Sequence, residues 1–206
     1  SNSLLLQDAS SKLGFSPKQT NSIAQELKDG IGSLGALITY HRTDSNKMKE
    51  SEIKKLRDFI TKDLGDTLLS KKEISYKEKS KFVQQGHEAV TPTNFETKPE
   101  KIKNILSDNQ FKLYDLIWKR TVASQMKDAL FERTSIEFVP AGDESLATFS
   151  FSDQELIFSG YLEATQEEVT NNKPPLINEN DAIGFNGLIK TQHFTDPPPR
   201  YNDASM

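Results

Sequence analysis

The chain of 206 residues contains no cysteine, which excludes disulfide bonds and metal sites built on thiolates. It also lacks any apolar run long enough to span a bilayer, and its first residues do not follow the pattern of a signal peptide. These absences favour a soluble, cytoplasmic protein. The length is sufficient for one or two small domains.

The chain as a whole lacks an excess of positive charge, but its first part has one. The net charge is −4, yet residues 1–133 carry 23 basic and 18 acidic side chains, whereas residues 134–206 carry 3 and 12. Proteins that bind nucleic acids neutralise phosphates with lysine and arginine. Phosphate contacts are therefore expected in the first part, although mixed-charge helices are usually just solvated surfaces.

Apolar residues recur at helical spacing through most of the first 126 residues. Glycines end three of the expected helices, and the second begins with Ser16, Pro17 and Gln19, a capping pattern. The expected helices cover residues 4–13, 17–29, 50–64, 99–106 and 108–126. Residue types from 134 onward alternate instead, which predicts strands at 135–139, 146–152 and 155–162 and a last one at 181–189. The fold class expected is α+β, a mainly helical domain followed by part of an antiparallel β-domain.

Residues 38–45, Ile-Thr-Tyr-His-Arg-Thr-Asp-Ser, concentrate polar side chains between a glycine-rich turn and a helix. A tyrosine is a poor nucleophile at neutral pH, because its phenol titrates near pKa 10. Arg42, two residues after Tyr40, offers a planar fork of donors that matches phosphate oxygens. On residue types alone, a tyrosine that closes a strand beside an Arg42–Asp44 ion pair explains the segment as well.

This string closely resembles the active-site motif of the bacterial type IA DNA topoisomerases. In that family the tyrosine attacks a phosphodiester of single-stranded DNA and holds the new 5′ phosphate covalently. The resemblance implies that Tyr40 is the nucleophile, that Arg42 positions the DNA, and that Thr43 and Ser45 contact it. The family usually has methionine where this chain has His41.

Two further segments resemble the family. Residues 84–93, Gln-Gln-Gly-His-Glu-Ala-Val-Thr-Pro-Thr, resemble its His-Glu-Ala-Ile-Arg-Pro-Thr motif, which implies that His87 assists phosphate binding or protonation. Thr91 replaces the family's arginine, so any contact of that arginine is missing or supplied elsewhere. Residues 192–206 resemble the start of the family's DNA-gripping helical domain, and Thr195 and Arg200 are candidate DNA contacts by that resemblance.

The resemblance extends over essentially the whole chain and implies a division into three parts. Residues 1–107 would be a mainly helical domain with the tyrosine, residues 108–190 a long helix with strands of an incomplete gate or arch domain, and residues 191–206 the start of the DNA-gripping domain. The family binds Mg²⁺ through an acidic cluster in a Toprim domain, and no Asp-x-Asp-x-Glu cluster occurs in this chain. No metal site is expected here, and Mg²⁺ would be held by a domain outside the chain.

The resemblance implies an enzyme that relaxes negatively supercoiled DNA without ATP, with single-stranded DNA as a partner, no membrane, and a monomeric parent protein in the nucleoid. The fragment alone is expected to be inactive, and its incomplete β-domain could self-associate through apolar edges. An alternative is a structural DNA-gate module that does not cleave. A tyrosine recombinase would need its tyrosine near the C-terminus, where Tyr40 does not lie.

Overall fold

A computed structural model of the chain describes residues 1–76, 88–141, 148–198 and 200–204. These residues form six α-helices and one two-stranded antiparallel sheet, which confirms the α+β class. The helices are α1 Asn2–Leu13, α2 Pro17–Asp29, α3 Glu50–Asp63, α4 Pro99–Ile102, α5 Asp108–Ala123 and α6 Leu162–Thr165, and the strands are β1 Leu130–Phe138 and β2 Phe149–Phe158. Among the described residues, no helix has the length and apolar character needed to cross a bilayer.

The chain divides into two compact units. The first comprises Ser1–Ala129 and Ser159–Glu167 with the end of the chain from Tyr201, and the second comprises Leu130–Phe158 and Glu168–Arg200. The predicted boundary at 107/108 falls inside the first unit, where Ser107 is the N-cap of α5. The three-domain division concerns the whole protein and stays a prediction.

Local sequence signals set the ends of the first helices. Gly14 ends α1 in the left-handed conformation (φ 70°), and the Ser16 hydroxyl accepts a hydrogen bond from the backbone of Gln19 at the start of α2. Gly30 ends α2 with φ 109°, and a Cβ there would lie 2.9 Å from the carbonyl carbon of Gly35. The chain therefore needs glycine at position 30 to turn back toward the segment before Tyr40.

The core of the first unit is built around α5, which packs against α1, α2, α4 and α6. Its central residues Tyr114 and Trp118 are buried. The Trp118 indole donates to the Phe95 carbonyl over 3.0 Å, and the Tyr114 hydroxyl donates to the Thr97 carbonyl over 2.7 Å. These bonds fix residues 95–97 on α5 and so anchor the segment that precedes them.

A close approach between backbones joins α6 to the segment before β1. Gly160 has φ 51°, and a Cβ added there would lie 2.4 Å from the Asp128 carbonyl oxygen. The next residue, Tyr161, donates its N–H to the Lys127 carbonyl over 2.9 Å. Glycine at position 160 is therefore required by both its conformation and its surroundings.

Among its described residues, the second unit contains a single hairpin. The two strands predicted at 146–152 and 155–162 are wrong as separate elements, because β2 runs without a break from one into the other. Residues 152–154 continue β2 and pair with residues 133–135 of β1. Arg133 donates to the Ser152 hydroxyl over 2.8 Å, so a side chain typical of turns contributes here to the pairing of the two strands. The predicted strand at 181–189 is also wrong, because these residues have no strand partner among the described parts of the chain.

Candidate active site around Tyr40

The segment that leads to Tyr40 lies antiparallel to residues 91–93. The Thr39 N–H donates to the Thr91 carbonyl over 2.9 Å, and the Thr93 N–H donates to the Leu37 carbonyl over 3.0 Å. The Thr93 hydroxyl also donates to the Ala36 carbonyl over 2.7 Å. The segment before the predicted nucleophile is thereby held on the described end of the second motif.

Residues 40–46, hereafter the Tyr40 loop, are closed at both ends by one residue, Ala89. The Thr39 hydroxyl donates to the Ala89 carbonyl over 2.9 Å, and the Ala89 N–H donates to the Lys47 carbonyl over 2.8 Å. The same Thr39 hydroxyl accepts a bond from the Thr91 N–H over 3.0 Å. The two predicted motifs are therefore joined by the Thr39 hydroxyl and by backbone groups, contacts that the sequence alone does not reveal.

Burial alternates along the Tyr40 loop. The side chains of Tyr40, Arg42 and Asp44 are exposed, Tyr40 to 43%. The alternation places the phenol and the guanidinium on the outward side of the same loop, where a phosphate could reach both. The alternative reading of an Arg42–Asp44 ion pair within the segment finds no support, because no such pair forms among the described residues.

Thr43 and Ser45 lie on the inner side, with 3% and 2% of their surface exposed. The Thr43 hydroxyl accepts from the Ser45 N–H and the Ser45 hydroxyl accepts from the Lys47 N–H, each over 3.1 Å. Such local side-chain bonds define turns. In this conformation the two hydroxyls shape the loop, and neither faces the solvent from which DNA would approach.

His41 is fully buried, and both of its ring nitrogens lack a hydrogen-bond partner among the described residues. Burial lowers the pKa of His41 from its ordinary value, and the nearby charges of Arg42 and Lys28 lower it further, whereas Asp29 opposes them. The ring lies 5.9 Å from that of Tyr40, centre to centre. A buried imidazole thus lies on the inner side of the loop, beside the exposed ring of Tyr40.

His87, predicted to assist at the phosphate, lies outside the described residues. The described residues that follow it are well fixed: Ala89 closes the Tyr40 loop, and Glu88 forms an ion pair with Lys49. The hydrogen bond and the charge of Glu88 raise the pKa of Lys49. The motif that contains His87 therefore continues directly into the contacts of the Tyr40 loop.

Thr195 and Arg200 belong to the second unit, and both are exposed there. That these two residues contact DNA stays a prediction. Of the predicted site residues, the structure brings together on one loop Tyr40, Arg42, Thr43 and Ser45.

The described residues do not supply ligands for a metal ion, since no group of three or more histidine, aspartate or glutamate side chains gathers among them. The acceptor-rich site that Mg²⁺ prefers is thus not found in the described parts of the chain. Its place in another domain remains a prediction from the resemblance.

Residue-by-residue reasoning missed Thr39 and Ala89. Neither carries chemistry that points to a site, and Ala89 acts only through its backbone. Their importance comes from a contact between segments 50 residues apart in sequence.

Comparison with known proteins gives a consistent result. A family model described as DNA topoisomerase matches residues 1–206. The chain is 40% identical over 208 residues to DNA topoisomerase 1 of Helicobacter pylori (strain ATCC 700392 / 26695), an alignment that covers 99% of the chain and 28% of that protein. It is 39% identical over 219 residues to DNA topoisomerase 1 of Xylella fastidiosa (strain Temecula1), covering 99% of the chain and 26% of that protein.

A solved structure agrees. Full-length topoisomerase I from Thermotoga maritima matches 85% of the chain with a TM-score of 0.69 and 35% sequence identity, over 28% of its own length. The chain thus spans about a quarter of the length of the relatives that it matches. These matches confirm the resemblance carried by the three motifs: the chain belongs to the bacterial DNA topoisomerase I family.

Proposed function

We propose that the chain is the tyrosine-bearing part of a type IA enzyme, which relaxes negatively supercoiled DNA by cutting one strand, passing another through the gap and resealing the cut. The observation that carries the proposal is the Tyr40 loop, which presents Tyr40 and Arg42 outward while Ala89 fixes both of its ends. Single-stranded DNA and negatively supercoiled DNA are the proposed partners.

The chemistry follows from the residue types. The Tyr40 phenol gives up its proton, and its oxygen attacks the phosphorus of a DNA phosphodiester. The bond from phosphorus to the 3′ oxygen breaks, and that oxygen takes up a proton as it leaves, so that no proton is gained or lost overall. A 5′ phosphotyrosine results. The reverse attack by the 3′ hydroxyl restores the DNA and releases Tyr40. One phosphodiester replaces another at each step, so resealing requires no ATP.

Arg42 has the role of holding the phosphate. Its guanidinium can donate two parallel hydrogen bonds to phosphate oxygens and offsets the negative charge that develops during attack. His87 is the proposed source of a further hydrogen bond or of the proton for the 3′ oxygen. Thr195 and Arg200 are proposed to bind the DNA strand away from the reacting phosphate.

Mg²⁺ is proposed to be bound by the Toprim domain of the full-length protein, as the resemblance to the family implies. The intact enzyme is proposed to act as a monomer in the cytoplasm, where the DNA is. Residues 1–206 alone are proposed to be inactive.

The test uses the full-length protein. We expect magnesium-dependent relaxation of negatively supercoiled plasmid by the wild type and a covalent protein–DNA adduct after denaturant is added. Tyr40→Phe removes only the attacking oxygen, so the adduct and the relaxation should both disappear. The matched control is Tyr76→Phe, since Tyr76 is exposed to a similar extent, 46%, and donates to the Ser124 carbonyl. That variant should relax DNA at the wild-type rate, and relaxation by Tyr40→Phe would show that the assignment is wrong.

A non-catalytic DNA-gate module is the second candidate, favoured by the exposed apolar residues of the hairpin, such as Leu130 and Ile157, each 57% exposed. These residues also favour self-association of the isolated chain. Residues 1–206 would then bind single-stranded DNA without cleaving it. Sedimentation over a range of concentrations, with and without a single-stranded oligonucleotide, measures both properties.

A further inference from the structure

We propose that Thr39 is a positioning residue for DNA cleavage, because its hydroxyl closes the loop that carries Tyr40 and Arg42. The inference rests on the proposed function of Tyr40 and deepens it. Thr39 touches neither the nucleophile's oxygen nor a phosphate, and it acts through Ala89.

The Thr39 hydroxyl takes the place of the Thr39 carbonyl as the acceptor for its partner residue, Thr91. Where two antiparallel residues form a hydrogen-bonded pair, they exchange two N–H to carbonyl bonds. Here the Thr39 N–H donates to the Thr91 carbonyl over 2.9 Å, but the Thr91 N–H returns its bond to the Thr39 hydroxyl over 3.0 Å. The regular ladder thus ends at Thr39, and the chain leaves its partner at the residue before Tyr40.

The second bond of the same hydroxyl makes the closure. It donates to the Ala89 carbonyl over 2.9 Å, while the Ala89 N–H donates to the Lys47 carbonyl over 2.8 Å. Ala89 consequently connects the residues immediately before and after the Tyr40 loop. The arrangement of the outward side chains therefore depends on hydrogen bonds at both ends of the loop.

A hydroxyl is required at this position because it must donate and accept at once. Valine has the shape of threonine but does neither, so Thr39→Val leaves the Ala89 carbonyl and the Thr91 N–H without their partner. Serine retains both bonds. The pair of variants therefore separates the hydrogen bonds from the volume of the side chain.

Thr93→Val is the matched control. The Thr93 hydroxyl belongs to the same antiparallel pairing and donates to the Ala36 carbonyl over 2.7 Å, outside the Tyr40 loop. Its loss weakens the pairing by one hydroxyl bond and leaves the loop ends joined. If the Thr39 hydroxyl only stabilised the fold, Thr39→Val and Thr93→Val would slow cleavage to a similar extent.

The experiment measures single-turnover formation of the covalent adduct by the full-length protein on a single-stranded oligonucleotide, with binding of the same oligonucleotide measured separately. We expect Thr39→Val to slow adduct formation about 10- to 100-fold, because small displacements of reacting groups have effects of that size. Binding should change less than about 3-fold, since the Arg42 side chain and the charged surface remain. Thr39→Ser and Thr93→Val should both form the adduct within about 3-fold of the wild-type rate.

The outcomes are distinct. The role of the Thr39 hydroxyl is overturned if Thr39→Val forms the adduct at the wild-type rate. It is also overturned if Thr93→Val or Thr39→Ser slows adduct formation as much as Thr39→Val does. If Thr39→Val does not fold, Thr39→Ala replaces it, because alanine neither donates nor accepts and differs from Thr39→Ser only by the hydroxyl. An adduct that persists in Tyr40→Phe overturns the proposed function itself, whatever Thr39→Val does.

Discussion

Replacing His41 with methionine should stabilise the chain. The imidazole has no exposed surface, and neither ring nitrogen has a hydrogen-bond partner among the described residues. A neutral imidazole has one N–H donor and one acceptor nitrogen, so two polar groups have lost water without compensation. Methionine, the family's usual residue, fills the same space with an unbranched apolar side chain.

The size of the effect follows from these two groups. Each buried group without a partner costs about 1–3 kcal/mol, and repacking around a side chain of similar volume costs up to about 1.5 kcal/mol. Two such groups cost about 2–6 kcal/mol together, so after repacking we expect His41→Met to raise the free energy of unfolding by about 0.5–6 kcal/mol at pH 7.5.

The gain should increase in acid. Burial, with Arg42 and Lys28 nearby, lowers the pKa of folded His41 below its ordinary value of 6.5. The unfolded chain then binds a proton before the folded chain does, so the wild type loses stability as the pH falls from 6.5 toward the folded pKa. While the folded imidazole stays neutral, the advantage of methionine grows by on the order of 1 kcal/mol between pH 7.5 and 5.5.

Urea unfolding of residues 1–206, measured at pH 7.5 and 5.5, tests both points. The control is His193→Met, because His193 is exposed in the second unit and its replacement should change the unfolding free energy by less than about 0.5 kcal/mol at either pH. An unchanged or lower stability of His41→Met would refute the reasoning, since it would mean that the imidazole forms compensating bonds. A gain that is identical at both pH values would refute the role of the lowered pKa.

Two further substitutions test the fold. Gly160→Ala should destabilise the first unit by about 2–4 kcal/mol, because residue 160 has the left-handed conformation and the new Cβ would clash with the Asp128 carbonyl. Gly14 also has a left-handed conformation, with φ 70°, but no atom lies within 4 Å of an added Cβ. Gly14→Ala should therefore cost only about 1–2 kcal/mol. Equal losses of stability in urea would show that the clash is relieved at no cost. Ser107→Ala removes the capping box of α5 and should cost about 0.5–2 kcal/mol, whereas Ser107→Asp keeps an acceptor and should lie near the wild type. A thermal melt of the two Ser107 variants compares them, and no difference between them would contradict the capping role.

Helices were predictable because their signals are local. Gly14 ends α1, Ser16 caps α2, and the apolar spacing of α3 is visible in the sequence, so these elements follow from neighbouring residues alone. The strand prediction failed at residues 152–154 because serine, aspartate and glutamine favour turns. Their pairing with residues 133–135 is a contact between distant segments, which local propensity does not encode.

By itself, the sequence determined the family and the candidate nucleophile, because the motif around Tyr40 and the segments around His87 and Arg200 each carry specific residue strings. Only the tertiary structure decided which side chains of the Tyr40 loop face outward. It turned Tyr40 and Arg42 to the surface and buried Thr43 and Ser45, which the motif alone had made DNA contacts. The physical reason is that loop closure depends on the Ala89 backbone, whose carbonyl accepts from the Thr39 hydroxyl and whose N–H donates to the Lys47 carbonyl. Contacts of a backbone group with residues so distant along the chain leave no mark at position 89 of the sequence.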